Sequence, residues 1–127
     1  MEKLTVTRML NFIKDEGYSI EFVRWAGKNY RFYGECDTEN SVIRLNYNRI
    51  KKLPATTRRV TMLHEIMHAI LNKMSAPQGE DLFSEEDEEV VVDALAVEVE
   101  KRASRKQKEK IDAIIDSALE KAERKGF

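Results

Sequence analysis

The side chains best suited to chemistry lie in the stretch TMLHEIMHAIL, residues 61–71. It holds the only two histidines of the chain, His64 and His68, with Glu65 directly after the first. Residues four apart on an α-helix project side by side, so both imidazoles can reach one cation. Zinc binds histidine nitrogens, and a catalytic zinc site needs three protein ligands with a fourth position left open. The spacing therefore predicts a metal site that lacks one ligand.

Glu65 is expected to be the general base of such a site. It points about 100° away from the neighbouring histidine around the helix axis. In the HExxH pattern this glutamate accepts a proton from the attacking water without occupying a ligand position. The alternative is that the two histidines are ordinary packing residues, since a motif with three fixed positions also recurs by chance. A third ligand at a matching helical phase would favour the metal site.

The third ligand is expected in the acidic run at the start of a second helix. The candidates are Glu85, Glu86, Asp87, Glu88 and Glu89. Helical phase favours Glu89, because it shares a face with Asp93 and both lie close to the stripe that includes Val92, Leu95 and Ala96. Carboxylates beside a buried face need a partner. A cation bound by one of them, with the other accepting the second N–H of a ligand histidine, would supply it.

The elements that must position these residues indicate an α+β fold. A first helix within residues 7–17 would end at Gly17, and three strand-like runs follow at 18–25, 30–36 and 41–47. The turn formers DTEN between the last two runs predict an antiparallel hairpin, and we expect a mainly antiparallel three-stranded sheet. Strand 41–46 is expected to border the cleft, where an exposed edge could take up a substrate as an added strand.

Three helical segments complete the predicted fold. The HExxH helix is expected over about 57–74, with Thr56 or Thr57 as its cap. The third-ligand helix should follow a cap at Ser84. The face that it buries is expected to carry Val90, Val91, Ala94, Leu95 and Val97. The chain then has no proline or glycine until Gly126, which predicts a helical extension with a break near Ser104.

The length of 127 residues suits one domain, with a core at residues 1–100 and a charged amphipathic helical tail at 101–127. An isoleucine and leucine stripe in the tail is typical of a packing or self-association surface, so one expected partner is a second copy, in a homodimer through this C-terminal helix. Nucleic acid is not expected as a partner. The 22 basic and 23 acidic side chains nearly balance, and the basic run KRASRKQKEK has no aromatic residues for base stacking.

The sequence predicts a cytoplasmic protein without a membrane partner. No segment approaches the roughly 20 apolar residues needed to span a membrane, and the first residues include no apolar stretch of signal-peptide length. Cys36 is the only cysteine, which excludes an intrachain disulfide and a cysteine-built zinc site. Its expected role is that of a small residue in a strand.

The histidine helix and the segment EVVVDALA, residues 89–96, together resemble zinc-dependent metallopeptidases of the gluzincin type. In that family HExxH lies on one helix, and a glutamate followed four residues later by an aspartate lies on the next. The sequence is most similar to ImmA/IrrE-like proteins and to small HExxH proteins of phages and prophages, in which strand residues like RLN precede helices like TLLHEILHAI. The resemblance covers about residues 18–100.

This resemblance implies a small zincin-like domain that binds one Zn²⁺ ion through His64, His68 and Glu89. It also implies Glu65 as the base and proton shuttle, and Asp93 as the residue that orients a ligand histidine. The function it implies is hydrolysis of a peptide bond in a protein or peptide substrate, in a regulatory process of a phage or prophage.

Two questions stay open at this point. No third histidine is present to stabilise an oxyanion; Tyr47 or Tyr33 could take that role, and the spacing selects neither. The alternative to a peptidase is a zinc-stabilised binding or regulatory module without catalysis, because a fold and a motif do not guarantee turnover. A weaker alternative is a metal-free fold with a decayed site.

Overall fold

The structure, a computed structural model, describes residues 3–25, 33–75 and 83–127. Helices and one sheet form an α+β protein in these ranges, as the sequence predicts. The elements in chain order are α1 (Val6–Asp15), β1 (Ser19–Val23), β2 (Gly34–Asp37), β3 (Val42–Asn46), α2 (Tyr47–Ile50), α3 (Ala55–Ser75), α4 (Glu85–Arg102) and α5 (Arg105–Arg124). The first part of the second predicted strand, 30–32, lies outside the described residues. None of the helices in the described ranges is both long enough and apolar enough to cross a membrane.

The strands form a mixed sheet in the order β1-β3-β2. β2 and β3 are antiparallel and joined by the predicted turn, in which the Asp37 carboxylate accepts hydrogen bonds from the backbone and side-chain N–H groups of Asn40. β1 pairs with β3 in parallel, with Ser19 beside Val42. The prediction of a mainly antiparallel sheet is therefore wrong for this pair. A tight turn fixes which strand pairs with β2, whereas no local signal fixes the partner of β1.

The central position of β3 corrects a second prediction. Strand 41–46 is not an exposed edge, because β1 and β2 occupy its two sides and Ile43 and Leu45 are fully buried. The edge strand that contacts α3 is β2. Any added strand next to α3 would therefore have to pair with β2.

Helix α3 begins at Ala55, directly after Pro54, and packs against the sheet and α1. The Pro54 carbonyl accepts a hydrogen bond from the backbone N–H of Arg58. Proline suits the start of a helix because it has no N–H to leave unsatisfied there. Thr56 and Thr57 thus lie inside the first turn, and the prediction that one of them caps the helix is wrong. The buried hydrophobic residues of α3 are Met62, Leu63, Ile66, Met67, Ala69 and Leu71.

Helix α4 begins at the predicted cap, where the Ser84 hydroxyl accepts a hydrogen bond of 3.2 Å from the backbone N–H of Asp87. The hydrophobic residues that it buries in the core are Val92, Ala96 and Val99. The prediction holds for Leu95, which packs against the core, but it is wrong for Val90 and Val97, which are 68% and 52% exposed. The helix has apolar residues on two sides, and periodicity alone does not decide which side packs on α3.

Helix α5 follows the predicted break at Ser104, where Ser104 and Gln107 form a reciprocal capping box. It packs beside β1 and α3. Its fully or nearly fully buried residues are Ile111, Ile115, Ala118 and Ala122. The stripe that could have served either packing or self-association is thus buried within the chain. A homodimer through α5 stays a prediction, but it would need a different surface of that helix.

Candidate metal centre

The two histidines lie on the side of α3 that faces α4, and both side chains are largely buried. Their ring centroids are 4.8 Å apart, and the Nε2 atoms of His64 and His68 are separated by 3.1 Å. This proximity is the direct result of the spacing of four residues on a helix. Both imidazoles therefore reach one point, as the sequence predicts.

Glu89 reaches the same point from α4. Its two carboxylate oxygens lie 2.8 Å from His68 Nε2 and 3.3 Å from His64 Nε2. Ligand atoms bound tetrahedrally to zinc at about 2.0–2.1 Å are about 3.3–3.4 Å from one another. The two Nε2 atoms are 3.1 Å apart, and each lies within 3.3 Å of one of the two Glu89 oxygens, so the donor groups of these residues are close enough to share one such ion.

Two further carboxylates hold the outer nitrogens of the histidines. Asp93 Oδ1 is 2.7 Å from His64 Nδ1, and Glu88 Oε2 is 2.5 Å from His68 Nδ1. An ionised carboxylate can only accept hydrogen bonds, so each Nδ1 carries a hydrogen and donates it. A neutral imidazole then has its lone pair on Nε2, which points to the common centre. Such outer hydrogen bonds orient ligand histidines and make them more basic.

The atoms at the common centre are all electron-pair donors. Two imidazole nitrogens and one carboxylate oxygen lie within 4.8 Å of one another. A single proton can bridge only two of these atoms, whereas one divalent cation can satisfy all three. Two histidines with one glutamate are also a donor set that catalytic zinc sites use, with a further position left for water or substrate.

Glu65 lies beside the donor set and is only 6% exposed. Burial raises the pKa of its carboxyl from 4.5 to about 7; His68 opposes the rise, and the neighbouring carboxylate of Glu89 adds to it. A carboxyl group with a pKa near neutrality can both accept and release a proton under ordinary conditions. Glu65 therefore has the properties that a proton shuttle requires.

The backbone of β2 approaches Glu65 closely at Gly34. A Cβ atom at this position would lie 3.3 Å from Cγ of Glu65 and 3.0 Å from the carbonyl oxygen of Arg44. Both distances are below the separation at which such atoms attract each other. The absence of a side chain at Gly34 thus allows Glu65 to lie against the strand.

These residues line a cleft of about 860 Å³ between α3, α4 and β2. Cys36 of β2 is one of the lining residues. Burial, with a smaller contribution from the charge of Glu65, raises the pKa of its thiol to about 12. The thiol therefore stays protonated near neutral pH in the metal-free protein.

Tyr47 does not line this cleft. It is 3% exposed, its ring contacts Phe22 and Phe127 edge to face, and its hydroxyl accepts a hydrogen bond of 3.2 Å from Lys51 Nζ. Tyr33, in contrast, lines the cleft and is 44% exposed. Of the two tyrosines considered for an oxyanion, the fold brings only Tyr33 to the cleft.

The residue that sequence reasoning missed is Glu88. It is one of the acidic residues considered as a third ligand, and it instead contacts the outer nitrogen of His68. A signal was available in the sequence, because two ligand histidines call for two orienting acceptors and Asp93 can serve only one. The residue directly before the third ligand is within reach of the second histidine.

His64, His68 and Glu89, with Glu65 beside them, form the candidate metal centre. Its chemistry is inferred from these residues, because comparison with known proteins gives this chain no relative. No family model, no curated protein and no solved structure matches it.

Proposed function

We propose that the protein is a zinc-dependent metallopeptidase with a small zincin-like domain, and that it hydrolyses a peptide bond in a protein or peptide substrate. The observation that carries the proposal is the convergence of His64 Nε2, His68 Nε2 and the Glu89 carboxylate, with the buried Glu65 carboxyl beside them. Three ligands and an adjacent base are the parts that metal-assisted hydrolysis requires.

The residues around the proposed zinc ion have separate chemical roles. Zinc, when bound, supplies a Lewis acid that polarises the scissile carbonyl and activates water. Glu65, buried beside the donor set, accepts the proton of the attacking water and delivers it to the leaving amine. Asp93 and Glu88 keep the Nδ1 hydrogens of the two histidines in place, so that both Nε2 lone pairs stay directed to the centre.

The edge strand β2 supports a peptide as the substrate. Antiparallel pairs alternate between residues that bond across the ladder and residues that do not. The backbone N–H of Asn46 donates to the Tyr33 carbonyl, so these two residues form a hydrogen-bonded pair. The next hydrogen-bonded pair, two residues further along the ladder, is Glu35 with Arg44. The backbone groups of Gly34 and Cys36 therefore point away from β3 and into the cleft that both residues line. An extended peptide can pair with them as an added strand.

This pairing is tested with Cys36→Pro and the matched variant Cys36→Val. Proline removes the outward N–H but leaves the ladder to β3 intact, and it is tolerated on edge strands. We expect Cys36→Pro to raise KM at least about tenfold at unchanged zinc content, with Cys36→Val close to the parent protein. Equal cleavage by both variants would mean that the substrate does not pair with β2.

The activity itself is tested with Glu65→Gln, which keeps the shape of the side chain and removes its ability to accept a proton. Cleavage of a fluorescence-quenched peptide library should fall by about 10²–10⁴-fold while zinc content stays the same. The control is Glu86→Gln, an exposed residue of α4 that does not line the cleft. A zinc-loaded parent protein without cleavage, or a Glu65→Gln variant as active as the parent, would favour the non-catalytic zinc-stabilised module.

The resemblance to ImmA/IrrE-like and phage HExxH proteins extends the proposal to the biological role. It suggests a regulatory protein as the substrate, cut in a phage or prophage context in the cytoplasm. This part of the proposal rests on the resemblance alone. It is tested by mass spectrometry of proteins cleaved in cells that express the parent chain but not in cells that express Glu65→Gln.

A further inference from the structure

Helix α4 carries a second apolar stripe on the side that faces away from the core. Val90, Ala94 and Val97 are spaced by four and three residues, which aligns them on one side of the helix. All three are exposed, Val90 by 68% and Val97 by 52%. A solvent-facing helix side normally carries charged or polar residues. An exposed row of two valines with an alanine between them therefore indicates a contact surface.

The charges at the two ends of this stripe are complementary to each other. Asp87 lies seven residues before Ala94 and Lys101 lies seven residues after it, and both are exposed. Residues seven apart differ by only about 20° around the helix axis, so these charges continue the same row. We refer to the row Asp87, Val90, Ala94, Val97 and Lys101 as the outer face of α4.

We propose that the outer face of α4 binds the outer face of a second copy of this chain, with the two helices antiparallel about a two-fold axis at Ala94. In this arrangement Asp87 of each copy lies opposite Lys101 of the other. The small side chain of Ala94 lets the helices approach at the crossing point, and the valines on either side of it fill the contact. A two-fold interface of this kind requires a self-complementary surface, which the row provides.

This contact differs from the homodimer through α5 that the sequence suggests. The apolar stripe of α5 is buried within the chain, whereas the outer face of α4 is exposed. A single pair of helices buries less accessible surface than a standard protein–protein interface, which covers about 1,200–2,000 Å². We therefore expect a dimer with a dissociation constant in the micromolar range, about 1–100 µM.

Sedimentation equilibrium of the purified full chain tests the proposal first. The parent protein should dimerise with a micromolar constant, and Val97→Glu should be monomeric, because it puts a charge into the apolar centre of the contact. The control is Ala113→Glu, which adds the same charge to an exposed position of α5 and should dimerise like the parent. Circular dichroism checks that each variant is folded. A parent protein that stays monomeric up to about 1 mM overturns the proposal.

Charge reversal tests the antiparallel register. Asp87→Lys and Lys101→Asp should each weaken dimerisation by about tenfold or more, because each puts like charges opposite one another twice. A mixture of the two variants should dimerise like the parent, since every lysine then faces an aspartate. If neither Val97→Glu nor either charge reversal weakens dimerisation, the dimer uses another surface, and that result also overturns the proposal. Reversals without recovery in the mixture contradict the two-fold register at Ala94.

Discussion

The buried carboxyl of Glu65 makes the stability of the metal-free protein depend on pH in a defined direction. Its pKa is about 7 in the folded chain, against 4.5 for an ordinary glutamate. The protonated form is favoured in the folded state, so its contribution to stability is fully present below pH 4.5 and is lost as pH rises to 7. One pKa unit corresponds to 1.36 kcal/mol, so the loss amounts to about 3 kcal/mol. The free energy of unfolding of a typical domain is about 5–15 kcal/mol, so this loss is a large fraction of it.

Glu65→Gln removes this dependence, because glutamine is neutral at every pH. In the presence of a chelator, urea denaturation followed by circular dichroism should show the two proteins at similar stability near pH 4.5. Above pH 7 the variant should be more stable than the parent by about 3 kcal/mol. The difference between the two pH profiles cancels the titration of groups that both proteins share. Parallel profiles from pH 4.5 to 8 would refute the reasoning, since they would mean that Glu65 is solvated like an ordinary surface carboxyl.

Three further substitutions have defined outcomes. Glu88→Gln should lower zinc affinity about 10–100-fold in competition with a chelator dye, while Glu86→Gln should not; equal affinities would contradict the role of Glu88 in orienting His68. Gly34→Ala should reduce peptide cleavage at unchanged zinc content, because the added methyl group displaces the general base that lies against β2. Full activity would show that β2 can shift to make room for the methyl group. Arg59→Ala should cost about 3 kcal/mol of unfolding free energy in urea, since its buried ion-pair partner on α4 then keeps only a lysine 3.7 Å away. A loss below about 1 kcal/mol would contradict this.

Helical phase explains how much of the candidate site could be predicted from the sequence. The positions of His64 and His68 follow from one local rule, the rise and rotation of an α-helix, and the same rule selects Glu89 and Asp93 together. Their convergence required only that two helices pack side by side. Helical phase alone does not point to Glu88, because the acceptor for the second histidine lies directly beside the third ligand and does not share its face.

Properties that depend on which surfaces meet could not be predicted in this way. The alternation of side chains along β3 indicates that Ile43 and Leu45 share a buried face. Edge strands and central strands both have this pattern, so it does not show which strands lie beside β3. The position of Tyr47 in the core, away from the cleft, depends on the path of the chain after β3. The stripe with Val92 and Ala96 is buried as predicted, but the sequence does not separate it from the exposed side with Val90 and Val97, because both sides are apolar.

The measurement that tests the central claim most directly is the metal content of the purified, tag-free protein by elemental mass spectrometry. Near-stoichiometric zinc is expected in the parent protein and in Glu65→Gln, with a clear loss in His64→Ala and Glu89→Ala. That result would establish two of the three ligands and separate them from the base. No zinc in any of these proteins after zinc is added back, or zinc that both alanine variants retain, would contradict the account.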